Sequence, residues 1–459
     1  MGAKLFLAVL ALAAFAYLMA RARASRAAGG AGAARFHSRP GQHGLYAALM
    51  VLIAGWGILF AAGLASEILI DHLLDSEILR LAPGMGAIER ALVISDAEAL
   101  ATGAVSSTDD ALRQQIAASF ARWRFWQVWG LSALVLGAAS LALLLALARI
   151  RPDFRARNRA ERILRRGLGV MALIAVLTTI GIVLSLVFET FSFFANIGWR
   201  IDKFLFGTNW TPLSGVMEGR LDPDRVGALP LFTGTFLITL IAMLVAVPVG
   251  LFAAIYLSDF AAPRTRAIVK PMLEILAGIP TVVYGFFAAL TVAPLLRDWG
   301  ASLGLSVASE SALAAGVVMG IMIIPFISSL SDDVINAVPQ ALRDGSYGLG
   351  ATKAETIRHV VLPAALPGIV SAMLLGMSRA IGETMIVVMA AGQGANFTFN
   401  PLEAVTTVTV QIVMLITGDT EASTAAGPAF ALGFTLFCIT LLMNFAAQRI
   451  VNRFREAYD

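Results

Sequence analysis

Residues 339–365 read PQALRDGSYGLGATKAETIRHVVLPAA. Pro339 suits the first turn of a helix, where a missing N–H is not needed. A short helix is expected from there through Asp344, Gly345, Ser346 and Tyr347. Gly348 and Gly350 permit a tight turn with positive φ. A second helix, about 353–361, is expected to end before Pro363, whose ring and missing N–H oppose continuation. The stretch predicts a compact helix–turn–helix, with small residues that let another protein approach its backbone closely.

What flanks this loop is apolar. Hydrophobic residues make up 58% of the 459-residue chain and charged residues 14%, against about 25% charged in soluble domains. That much apolar surface is stable against lipid, which needs no burial against protein. Nine stretches are long and apolar enough to span: about 3–20, 45–66, 126–148, 168–188, 231–257, 271–296, 312–331, 366–391 and 428–447. A shorter run, 404–417, carries Thr406, Thr407, Thr409 and Gln411 and is expected to lie outside the membrane or dip part-way in. The expected fold is an all-α integral membrane protein: six spanning helices in 167–459, preceded by three in 1–166.

Basic residues mark cytoplasmic loops. Arg21, Arg23, Arg26, Arg35 and Arg39 fall between the first two spans, and eight arginines against Asp153 and Glu161 fall in 149–167. Arg264, Arg266 and Lys270 come to the same side, as do Arg449, Arg453 and Arg455 of the tail. One threading fits: N-terminus outside, C-terminus and the 332–365 loop in the cytoplasm. Residues 1–24 also carry signal-peptide features, namely Lys4, an apolar stretch and small residues at 20–24; the five arginines that follow resist translocation and favour a retained anchor. The external segment 67–125 has nine acidic residues against Arg80, Arg90, Arg113, Arg122 and Arg124. Leu112, Ile116 and Phe120 recur there at helix spacing. The segment reads as a solvated connector, or else a small periplasmic domain.

Two runs inside the spans carry unusual groups. Residues 378–384, Ser-Arg-Ala-Ile-Gly-Glu-Thr, fall near the centre of the expected 366–391 span. An arginine at a helix centre costs about 2.5–3.5 kcal/mol on insertion scales. Arg379 and Glu383 are four apart, so on a continuous helix they share a face and pair. That pair either locks helix packing or, with Thr384, lines a translocation path, where the planar donors of arginine suit a tetrahedral oxyanion. The run 270–287, KPMLEILAGIPTVVYGFF, holds Glu274, Gly278, Pro280 and Tyr284. Gly278 and Pro280 predict a kink with freed backbone groups, and Glu274 is placed to pair with Lys270 at i, i+4.

Several chemistries lack their residues. The run Gly345–Gly350 continues Ala351-Thr352 where a phosphate loop needs Lys followed by Ser or Thr, so nucleotide hydrolysis must come from another chain. A single cysteine, Cys438, allows no disulfide within the chain. No H-E-x-x-H pair or mid-span protease set occurs among four histidines. The basic linker 151–167 holds one aromatic, Phe154, and sits between two spans, which disfavours nucleic acid and suits anionic lipid.

The 339–365 loop resembles the EAA loop of ABC importer permeases: E-A-A, three residues, Gly, nine residues, Ile, one residue, Leu-Pro. Here these are Asp344-Gly345-Ser346, Gly350, Val360 and Leu362-Pro363, with Asp for Glu, Gly-Ser for Ala-Ala and Val for Ile. The run 379–385 (RAIGETM) is similar to a motif of the C-type permease of phosphate-specific transport systems, and the run 270–287 resembles a motif of phosphate permeases at the start of a span. The resemblance covers about 168–459, and residues 1–166 look like the N-terminal extension of longer members. It implies a type I permease fold, no enzyme activity and no cofactor on this chain, with ATP and Mg on partner subunits. It further implies docking of the loop onto an ATPase subunit, and an assembly with two such subunits, a homologous A-type permease and a periplasmic phosphate-binding protein in a bacterial inner membrane. A permease for sulfate or molybdate, or a membrane signalling scaffold with 67–125 as sensor, are the alternatives.

Overall fold

In a bilayer every backbone N–H and C=O must find its partner within the protein, so long apolar runs fold as helices. The computed structural model describes residues 2–28, 37–102, 110–151, 153–212, 214, 222–418 and 426–454, and among these no strand forms. Arg35, Asp109 and Arg455, with the side chain of Arg453, lie outside the described residues. The described residues contain nine helices long and apolar enough to cross a membrane. Two units divide the chain, Met1–Leu177 and Thr178–Asp459.

The first unit is built on α1 (Gly2–Ala28), α2 (Pro40–Leu81), α3 (Ala87–Thr102) and α4 (Ala111–Ala148), and also holds the start of α5 (Ala156–Asn196). Small side chains let α1, α2 and α4 pack closely: Ala13, Ala16 and Ala20 meet Ala47, Val51, Ala139 and Ala142. With 42 and 38 residues, α2 and α4 run about 63 and 57 Å at 1.5 Å per residue, far beyond the roughly 30 Å hydrocarbon layer. Their overhanging ends and α3 enclose a second core of Ile70, Leu74, Ile78, Val93, Ala97, Ile116 and Phe120. The described residues of 67–125 therefore form a helical bundle with its own core, rather than a solvated connector. Charges tie its helices together at the margin of that core, as in the half-buried pair Arg90–Asp75 at 2.7 Å.

The second unit takes the remainder of α5, then α6 (Ile201–Phe206), α7 (Leu229–Ile255), α8 (Pro263–Ala277), α9 (Thr281–Phe287), α10 (Ala293–Ser302) and α11 (Ala312–Asn336). It continues with α12 (Gln340–Gly348), α13 (Lys353–Thr356), α14 (Leu362–Ile381), α15 (Met385–Ala390), α16 (Val408–Thr417) and α17 (Ala426–Phe454). Its centre is the pair α7–α11. Gly316 and Gly320, one helical turn apart on α11, face α7 so closely that a Cβ on Gly320 would stand 2.8 Å from Val245 Cβ and 2.9 Å from the carbonyl of Ala242. Around this contact cluster Ile238, Ala242, Val318, Met319, Ile323 and Ile327.

Two expectations need correcting. The span expected at 271–296 is two elements: α8 ends at Ala277, and the span is Thr281–Ser302. The helix after the glycine turn does not stop before Pro363. It runs on from Lys353 to Ile381 as one continuous helix, because a π turn at Ile357–Val361 opens the backbone ahead of the proline and relieves the clash its ring would make with the carbonyl four residues back. The 404–417 run, too short to span, packs against α7: Val405, Thr406, Val408 and Val410 are buried, and Val408 N–H donates to Thr235 Oγ1 on α7 at 3.1 Å.

Candidate functional site

The loop between α11 and α13 is closed by its own backbone. Gly350 takes φ of +89°, a conformation that an L side chain resists. There its N–H reaches Tyr347 O at 2.9 Å and Ala351 N–H reaches Ser346 O at 3.2 Å, satisfying carbonyls at the end of α12. Thr352 and Glu355 form a capping box at the start of α13. The backbone N–H of Thr352, and then its hydroxyl, hold the Glu355 carboxyl below its ordinary range. Ser346 Oγ and Thr356 Oγ1, 2.9 Å apart, tie the two helices. Asp344, Gly345, Tyr347 and Gly348 are exposed, and Leu349 is 92% exposed. A Cβ on Gly345, Gly348 or Gly350 would meet nothing in this chain within 4 Å. An apolar knob among bare backbone can seat in a partner's groove. Leu362 and Pro363 fall in the helix that carries the loop into the membrane, Leu362 half-buried and Pro363 exposed.

The base of the loop is clamped by charges that local spacing could not reveal. Arg343 of α12 is buried, donates to Asp259 Oδ1 in the π turn closing α7, and donates to the Ile335 carbonyl of α11 at 2.8 Å. Lys353 lies 5.5 Å from the centre of the Phe260 ring. Beside it, Asp332 of α11 is 2% exposed and accepts from Arg266 at 3.1 Å, Lys270 at 2.8 Å and Asn336 at 2.8 Å. The hydrogen bond to Asp332 raises the Lys270 pKa. Arg266 and Lys270 read in sequence only as a topology signal, and their acid partner lies more than sixty residues away. The expected Glu274–Lys270 pair is replaced by this network. Glu274 is exposed and, with Lys270, Ser328, Ser329 and Asp332, lines a cavity of about 220 Å³.

The expected break at Gly278–Pro280 is present: Gly278 caps α8 and Pro280 precedes α9. Tyr284 Oη donates to the Leu276 carbonyl at 2.8 Å, which gives one group freed by the break its partner.

The run 378–384 is also a break, and this overturns the ion pair expected on a continuous helix. α14 ends at Ile381 with Gly382 as its cap, so Arg379 occupies the last turn of a span rather than its centre. Glu383 is 9% exposed, and its carboxylate turns to α15, accepting from Met385 N–H at 3.0 Å and Ile386 N–H at 3.4 Å. Its carbonyl accepts from Thr409 Oγ1 at 3.0 Å. Arg379 is exposed and Thr384 half-buried. Among the described residues, no ion pair joins Arg379 to Glu383. Gln411, read in sequence only as a polar residue in an apolar run, bridges this region: it accepts from Trp210 Nε1 at 3.0 Å and donates to the Gln393 carbonyl at 2.8 Å.

Known proteins match both units. A family described as "Phosphate ATP-binding cassette transporter" matches residues 6–178. One described as "Binding-protein-dependent transport system inner membrane component" matches residues 246–456. The probable ABC transporter permease protein YqgH of Bacillus subtilis is 33% identical over 282 residues, covering 61% of this chain and 88% of that protein. The phosphate transport system permease protein PstC of Xylella fastidiosa is 32% identical over 271 residues, covering 55% and 79%. A solved structure of the MetNI methionine ABC transporter, in an inward-facing conformation, aligns at a TM-score of 0.37 with 21% identity, covering 50% of this chain and 95% of that one, a likeness too loose to argue from. On these matches the chain belongs to the inner-membrane permease family of binding-protein-dependent ABC transport systems.

Proposed function

We propose that this chain is half of the translocation path of an ATP-driven phosphate importer, with its C-terminus and the 339–350 loop in the cytoplasm. A homologous A-type permease supplies the other half. Two ATPase subunits, which hold ATP and Mg, receive the loop, and a periplasmic phosphate-binding protein delivers the anion. Phosphate is favoured over sulfate and molybdate by the similarity to phosphate permeases and by the 379–385 run.

The observation that carries the reading is the clamp. The exposed Leu349 knob caps α12, and Arg343 ties α12 to the ends of α7 and α11, the two helices at the centre of the second unit. A displacement of the loop by a closing ATPase pair is thereby delivered to the core, and two arrangements of that core give alternating access. Arg379, Glu383 and Thr384 are assigned to the path. Because Glu383 is committed to capping α15, the Arg379 guanidinium keeps its donors for an oxyanion. A charged side chain exposed on one chain at a helix-span end also asks for cover by a second permease or by water.

The test is to replace Leu349 by Asp and Gly350 by Asp in the intact transporter. Both variants are expected to assemble in the membrane and to lose co-purifying ATPase subunits along with uptake. Undiminished ATPase retention in both would sink the docking assignment.

A further inference from the structure

The first unit contains a crevice that the permease reading leaves without a role. It lies between α1, α2 and α4, has a volume of about 630 Å³, and is walled by Leu5, Phe6, Leu59, Leu64, Val128 and Leu131. That volume is within the about 300–1,000 Å³ typical of small-molecule sites. One end is polar. Arg124 donates to Glu67 Oε1 at 2.6 Å and to Gln127 Oε1 at 2.7 Å, and Gln127 Nε2 donates to Ser66 Oγ at 2.8 Å. A second hollow of about 350 Å³ shares Arg124 and Val128 with the crevice and adds Glu98 and Thr102.

The aromatic side chains around Arg124 fix the level of this polar end. Trp126 and Trp129 are 63% and 62% exposed, and Trp123 and Phe125 are also exposed. Tryptophans exposed on a spanning helix gather where headgroups meet acyl chains. The apolar crevice then runs into the hydrocarbon layer while Arg124 and Glu67 stand at headgroup depth. The polar end carries one cation and one anion, both partly open to a ligand at 45% and 57% exposure, so it complements a head that also carries one of each.

We propose that this crevice is a binding site for a glycerophospholipid with a zwitterionic ethanolamine head. One acyl chain fills the space lined by Leu59, Leu64 and Leu131, the phosphate accepts hydrogen bonds from Arg124, and the ammonium faces Glu67. An anionic glycerol head satisfies Arg124 but leaves Glu67 facing a like charge. The bound lipid would join α1 to the α2–α4 pair along the crevice, which no side chain among the described residues fills.

Gly63 makes the proposal testable. It lines the crevice, and a Cβ there meets nothing within 4 Å, so a larger side chain occupies the acyl site without disturbing packing. The full chain, stripped of lipid in detergent, is mixed with micelles of equal phosphatidylethanolamine and phosphatidylglycerol, and retained lipid is counted by native mass spectrometry. The wild-type chain is expected to retain one phosphatidylethanolamine in preference to phosphatidylglycerol. Gly63→Phe is expected to lower retention by about tenfold, equivalent to roughly 1.4 kcal/mol, with unchanged helical circular dichroism; Gly63→Leu carries the same expectation should the phenylalanine variant misfold. Arg124→Gln is expected to keep a lipid and lose the preference between heads. Wild-type retention in both Gly63 variants, or a wild-type chain that retains the two lipids equally or retains neither, would overturn the proposal.

Discussion

Arg379 and Glu383 illustrate what four-residue spacing can and cannot say. The spacing brings two side chains together only while the helix continues, and here Gly382 ends it. The glycine was visible in the sequence; that it would cap rather than merely pack was not. Separate roles have a consequence. Arg379→Ala is expected to reduce transport strongly with assembly intact, whereas Glu383→Gln, which weakens the cap on α15, lowers thermal stability. If the two do not pair, their effects on stability add to within about 0.5 kcal/mol, and a double-mutant cycle in denaturation checks it. A coupling energy well above that figure would restore the ion pair. At the loop, Glu355 is held below its ordinary carboxyl range by Thr352. A lowered pKa contributes stability that is complete above the unfolded value of 4.5 and fades as pH falls through the lowered one. Between pH 6 and 8, roughly the working range of a neutral cytoplasm, Glu355→Gln is therefore expected to show a pH-independent defect in ATPase retention. A defect that grows with pH across that range would mean another group governs the cap.

Elements were legible where hydrophobic length decides and illegible where proline meets a helix. The spacing of Asp344, Gly350 and Leu362 pointed to the loop, and of its two turn glycines Gly350 takes the expected positive φ while Gly348 stays in α12. The end of the following helix was misplaced because a π turn at Ile357–Val361 accommodates Pro363, and nothing in local propensity announces such a turn. The clamp on α12 was equally hidden, because Asp259 and Arg343 are 84 residues apart. It makes an element-scale prediction. Both partners are about 90% or more buried, and removing one leaves the other uncompensated at a cost of about 3–5 kcal/mol. Arg343→Ala is expected to cause a stability loss of that order together with loss of uptake, while Asp259→Ala combined with Arg343→Leu should be milder than the single change; denaturation of the purified chain distinguishes them. On α11, Gly320→Leu presses on Val245 and the Ala242 carbonyl and is expected to destabilise the α7–α11 pair by about 1–3 kcal/mol or more. A thermal midpoint equal to wild type would show that this contact is looser than drawn.

For the whole molecule, composition and nine apolar runs were enough to name an all-helical membrane protein, and nine such helices occur among the described residues. The first unit was the least legible part. Acidic sequence at 67–125 suggested solvent, yet α2, α3 and α4 bury Leu74, Ile78, Val93 and Ile116 there, since half of each amphipathic helix is free to be polar. The second unit was read through its motifs, and the substrate rests on those motifs and on the relatives they lead to. The measurement that tests this most directly is uptake of labelled phosphate, with labelled sulfate as control, in phosphate-limited cells lacking this chain and any parallel high-affinity route. The account predicts selective loss of phosphate uptake, restored by the wild-type chain and not by Arg379→Ala. Phosphate uptake that persists without the chain, or a loss confined to sulfate, would contradict it.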